Sequence, residues 1–158
     1  MSTLLKAMLS QSASGQFLTM REVSRFSAAE IRQTMADLVG SNHIELADAL
    51  SAAGLSLYPE SEDILAISAL LAEIKRDWTT AEQLLTQLMT QQGQHTTPFT
   101  WRHLIRVLRC QCEPGKALLM AKKAIAAYPE DDILRDEFLS LQELVSEQMP
   151  VAASTQLH

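Results

Sequence analysis

From Ser27 onward the apolar positions fall in helical runs of about 12–16 residues, the usual length of packed helices, each closed by a break. The breaks lie at Gly40-Ser41-Asn42, Pro59, Asp77, Gly93 to Pro98, Glu113-Pro114 and Pro129. Breaks this close together predict antiparallel helix hairpins. The final run opens on Glu130-Asp131-Asp132, and acids in a first turn suit the positive end of a helix. Ahead of Ser27 the pattern is thinner. Leu4, Leu5, Ala7, Met8 and Leu9 make a short amphipathic stretch, Ser10 to Gly15 read as a linker, and Phe17 to Phe26 as a second short helix. Residues beyond Pro150 carry no pattern. Three segments follow: an N-terminal helical extension over 1–26, a helical domain with a capping helix over 27–147, and a disordered tail over 148–158.

The breaks also repeat. Pro59 to Gly93 is 34 residues and Gly93 to Pro129 is 36, with two helices in each interval. One hairpin cannot bury its own apolar face, so a period of this length with two helices per unit implies stacked neighbours. Setting the terminal Pro or Gly at the end of each unit gives three: Ala28 to Pro59, Glu62 to Gly93 and Pro98 to Pro129.

Within that register the chain resembles the tetratricopeptide-repeat (TPR) family over about residues 28–144. Leu65, the small Ala69, the turn Asp77-Trp78 and Ala81 stand where the family pattern wants them in the middle unit. Trp101, Leu104, Ala117, Ala124 and Pro129 do so in the third, and Ala47, Gly54 and Pro59 in the first. Ile105 departs from the pattern by replacing a small residue, and Gln94-His95 lengthen the connection before Thr97 and Pro98, a plausible cap and first helical residue. The resemblance implies an all-α fold: three TPR-like hairpins in a right-handed solenoid, a C-terminal capping helix and the helical extension.

It also implies a groove that binds a peptide or helix, lined by the fifth, ninth and twelfth residues of each first helix. Those positions are Arg102, Arg106 and Arg109 in the third unit, and Arg32 is the fifth residue of the first. In the middle unit they are Ala66, Leu70 and Glu73, with Ile74 adjacent. The groove would then be apolar in the middle and cationic at one end. Arginine forks suit a carboxylate, while Leu and Ile accept the apolar face of a helix.

Composition narrows the function. The net charge of −6 argues against a general nucleic-acid binder. Against that background residues 99–123 hold six basic residues and one acidic one, a local cationic patch. A helix-turn-helix reading of Ala36 to Leu50 fails because the reading helix would carry Glu45 and Asp48 and no base. Trp78 and Trp101 read as packing residues. Cys110 and Cys112 cannot complete a zinc site with His103 alone, and read as reduced thiols. The four histidines are scattered and no nucleotide fingerprint is present, so no catalytic residue, metal or cofactor is expected, and the chain is read as no enzyme. No apolar run reaches membrane-spanning length and the N-terminal stretch lacks the apolar core of a signal peptide, which points to the cytoplasm.

Two functions stay open. A chain of this size with three such repeats and an N-terminal helical extension resembles the chaperones of bacterial type III secretion systems, whose partner would be a secreted subunit. The turn Lys75-Arg76-Asp77-Trp78-Thr79-Thr80-Ala81 is similar to that of the small partners of needle subunits. The alternative is a structural or regulatory adaptor joining larger folded proteins, as a homodimer through residues 1–26.

Overall fold

The computed structural model describes residues 1–148, which are all helix and turn. The tail expected over 148–158 lies, from residue 149, outside them. The protein is all-α. It divides into two compact units, Met1–His95 and Thr96–His158.

The first unit holds α1 (Thr3–Ala13), α2 (Met20–Val23), α3 (Ala28–Gly40), α4 (Ile44–Leu57), α5 (Glu62–Ile74) and α6 (Trp78–Gln92), ending in a 3-10 turn at Gly93–His95. The second holds α7 (Pro98–Cys110), α8 (Pro114–Ala127) and α9 (Asp132–Gln148). Side chains set the starts. Ser2, Thr19, Ser27, Ser61, Asp77 and Thr97 each accept a backbone N–H from the first turn that follows. Thr19 with Glu22 and Ser27 with Glu30 complete reciprocal capping boxes.

Helices α3/α4, α5/α6 and α7/α8 form three hairpins, and all three turn in the same way. Asn42, Arg76 and Cys112 take left-handed backbone, with φ of 62°, 58° and 59°. Their N–H groups donate to the carbonyls of Val39, Glu73 and Arg109, each at 3.0 Å. The next residues, His43, Asp77 and Glu113, donate to Leu38, Ala72 and Leu108 at 2.8–2.9 Å. These bonds satisfy carbonyls that the helix end leaves open. Five residues past each left-handed residue stands an alanine, Ala47, Ala81 or Ala117, with no exposed surface.

The first and third hairpins also close alike. The Tyr58 hydroxyl donates to the Phe26 carbonyl at 2.6 Å, and the Tyr128 hydroxyl to the Thr96 carbonyl at 2.7 Å. Each tyrosine ties the end of the second helix to the residue just before the first helix and its cap. Helix α4 runs so near its neighbours at Gly54 that a Cβ there would meet Ile31 Cγ2 at 3.2 Å. Ala124 takes the matching place in α8 and is fully buried. The pattern-breaking Ile105 is also fully buried, as is Met35 at the same step of α3.

The core of the first unit is not confined to the hairpins. Leu4, Leu5, Met8 and Val23 are buried with Ile31, Met35, Leu38 and Leu50. Residues 1–26, expected as an extension, therefore supply core. The second short helix is only Met20–Val23 rather than Phe17 to Phe26, and Phe17 is exposed. Helix α9 covers α8 through Leu134 and Leu141, both fully buried. It differs from α5 where α5 meets a second helix. The buried Leu65 and Ala72 have the exposed Arg135 and Gln142 as their counterparts, so α9 turns a solvated face outward.

Candidate functional site

The apolar side of α7 (Trp101, Leu104, Ile105, Val107 and Leu108) is buried. Burying it turns Arg102, Arg106 and Arg109 outward together, because residues four and three apart share a helix face. Thr97 and Pro98 start the helix: Thr97 caps Thr100, and Pro98 stands at the first position, where no N–H is needed. The Phe99 and His103 rings meet at a tilt of 41° with centroids 4.3 Å apart.

Helix α9 supplies two carboxylates to this face. Arg102 donates to Asp131 and Arg109 donates to Glu137 at 2.6 Å. Asp131 is the better sheltered, its side chain only 13% exposed, whereas Arg109 and Glu137 are each about one-third exposed. The other Asp131 oxygen accepts from the Leu134 N–H at 3.0 Å, which caps α9. One carboxylate thus starts α9 and fixes Arg102. Arg102 Nε is buried without an acceptor among the described residues. Between the helices lies a cavity of about 340 Å³, lined by the three arginines, His103, Cys110, Ile133 and Glu137. Cys110 and Cys112 are exposed free thiols.

The Asp131 carboxyl is held below its usual range, chiefly by the Leu134 N–H and further by the Arg102 guanidinium, against the opposing effect of burial. A depressed folded value gives stability that is complete above the unfolded value, about pH 4, and lost as pH falls through the folded value. Asp131→Asn should therefore flatten the acid limb of the stability profile. Urea unfolding of both proteins between about pH 2 and 6 checks this, and parallel acid limbs would refute it.

In the first unit Arg32 on α3 faces Asp63 on α5 at 3.7 Å, both about half exposed. The arrangement repeats Arg102 with Asp131: the fifth residue of one first helix meets an acid at the start of the next. Ala66 and Leu70 are half-buried on α5 and Ile74 is 53% exposed, so an apolar strip remains open there. Glu73, expected to line the groove, is buried at 7%.

Sequence reasoning named all three arginines but none of the α9 residues that meet them. Asp131 was accounted for by its first-turn position. Glu137 and Ile133 gave no signal until α9 was laid against α7.

No protein-family model matches the chain, and no curated protein matches it in sequence. The function rests on the chain's own geometry. Among the described residues no group of three His, Cys, Asp or Glu is placed to hold a metal ion, and no helix is long and apolar enough to cross a membrane.

Proposed function

We propose that this is a TPR-type interaction protein that binds a helical or extended segment of another protein on the outward faces of its first helices. Within that family we read it as a chaperone of the type III secretion kind, working in the cytoplasm on a secreted subunit. The supporting observation is the recurring hairpin turn, with its left-handed residue at Asn42, Arg76 and Cys112, 34 and then 36 residues apart. Fully buried alanines at the same step after each turn and the solvated outer face of α9 accord with a repeat array and its cap. Each unit has a surface that supports this reading: the apolar strip of Ala66, Leu70 and Ile74 in the first, and the arginine-lined cavity of α7 and α9 in the second.

A homodimer through residues 1–26 would have to do without most of their apolar stripe, because Leu4, Leu5 and Met8 are buried inside the chain.

The test starts from affinity capture and identification of the co-purifying protein, followed by titration of that protein against variants. Leu70→Asp should weaken binding by about tenfold or more, a loss of at least about 1.4 kcal/mol, with little change in melting temperature because Leu70 is only half-buried. A co-purifying set of several large folded proteins would favour the adaptor. Wild-type affinity in Leu70→Asp would remove the α5 strip from the binding face.

A further inference from the structure

We infer that the cleft between α4, α5 and α6 is a binding site for a neutral phenol, carried either by a free small molecule or by a tyrosine side chain. The cleft opens on the other side of α5 from Ala66 and Leu70, so it stands apart from the interaction face proposed above.

Two buried hydroxyl pairs recur at the same step of successive hairpins. Thr34 is the seventh residue of α3 and Ser68 the seventh of α5, and both are buried. Each meets a serine from the chain before its hairpin: Ser2 lies 3.2 Å from Thr34, and Ser51 donates to Ser68 at 2.7 Å. The pairs end differently. Thr34 donates to the Glu30 carbonyl one turn back at 2.9 Å, which uses its proton. Among the described residues Ser68 has no bond of that kind. A hydroxyl holds one proton and two acceptor sites, so the second pair keeps a donor on Ser68 and acceptor room on Ser51. These side chains are 2% and 7% exposed, where an unmade hydrogen bond is costly.

Beside that pair lies a cavity of about 180 Å³. It equals the volume of roughly six waters at about 30 Å³ each, room for a ring with one or two small substituents. Leu55, Leu71 and Leu84 wall it with hydrocarbon. Its charged residues already have partners. Lys75 bonds Asp48 at 2.8 Å, and the Asp77 carboxylate accepts from the Thr80 N–H and hydroxyl. An ionic guest therefore finds no counter-charge left over, and a wholly apolar guest leaves the Ser68 proton unused. A phenol meets both demands. Its ring packs on the leucines while its hydroxyl accepts from Ser68 and donates to Ser51, and a rigid ring loses little freedom on entry.

The experiment titrates the full chain with p-cresol and with toluene, which has the same ring and methyl but no hydroxyl. Binding is read from the methyl NMR signals of Leu55, Leu71 and Leu84. p-Cresol should shift them with a dissociation constant of about 1 mM, the scale for so few atoms. It should bind about three- to tenfold tighter than toluene, the worth of one neutral hydrogen bond. Ser68→Ala should remove that preference and leave toluene binding unchanged. Leu70→Asp, which tests the interaction face, should leave p-cresol binding unchanged. N-acetyl-tyrosinamide separates the two sources: shifts at the same methyls assign the site to a partner's tyrosine, and exclusion of this larger ligand assigns it to a free phenol. Equal binding of p-cresol and toluene by the wild type would overturn the inference, even if Ser68→Ala fails to fold. So would an undiminished preference in Ser68→Ala, or no shift at the three leucines, which would leave the cleft to water alone.

Discussion

In a chain carrying Leu4→Ala and Met8→Ala, the denaturant midpoint of the first unit is expected to drop by more than for any surface change. Both side chains are buried, Leu4 at 1% and Met8 at 5%, in the cluster that includes Ile31, Met35 and Leu38. Truncating a buried Leu or Met to Ala costs about 2–5 kcal/mol, because transfer energy is lost and the cavity only partly collapses. Two such changes approach the whole stability of a small domain, about 5–15 kcal/mol. Helix α1 has local support as well: Ser2 caps it, and the Ser2 hydroxyl lies 3.2 Å from the Thr34 hydroxyl of α3. An eleven-residue helix is marginal alone, so its order derives from this docking. Lys6→Ala, exposed on the same helix, should stay within about 0.5 kcal/mol of wild type. Urea unfolding followed by circular dichroism reads the difference. A double variant with the wild-type midpoint would show that α1 is only an appendage.

That role for α1 was not legible in the sequence. The stripe of Leu4, Leu5, Met8 and Leu9 announces an amphipathic helix, but a short stripe followed by Ser- and Gly-rich residues reads equally as a detachable arm. Only the position of Thr34, Met35 and Leu38 on α3 decides it, and that is tertiary information. Helix α2 failed for a local reason. Thr19 caps it late and the Ser24 hydroxyl bonds back to the Arg21 carbonyl, so it ends after one turn.

The helical runs and their period were legible because Pro and Gly punctuate the chain every 34 to 36 residues. The hinge of each hairpin lies elsewhere, at Asn42, Arg76 and Cys112. Of these only Asn has a known tolerance for left-handed backbone. Arg76 and Cys112 adopt it because the closing bonds from Asp77 and Glu113 require it, and nothing in either side chain foretells that. The period was therefore read from its punctuation, with its mechanism hidden.

The candidate site divides along the same line. Arginines at i, i+4 and i+7 declare a shared face from sequence alone. The counter-charges of Arg102 and Arg109 come from residues 29 and 28 positions further on, across a tertiary contact. The result changes the chemistry expected of the row. The face holds charges already partly neutralised by α9.

Ala81→Trp and Ala117→Trp should each lower stability by about 1–3 kcal/mol, and by more where the backbone cannot shift. Each alanine opens the second helix of a hairpin, five residues past the left-handed turn, and neither has any exposed surface. At such a point the closing bonds of the turn hold the helix starts together, from Asp77 to Ala72 and from Glu113 to Leu108 at 2.9 Å. The second helix cannot back away from an indole without breaking them, and close-packed interiors leave no space for one. The cost should therefore appear as lost stability together with weaker protection of the Asp77 and Glu113 amides from hydrogen exchange. Gln83→Trp on α6 and Ala126→Trp on α8 put the same side chain on exposed positions of the same helices and should stay within about 0.5 kcal/mol of wild type. If the buried and exposed substitutions behave alike in denaturant and in exchange, these alanines do not mark the contact between helices, and the shared geometry of the three turns does not govern how the hairpins pack.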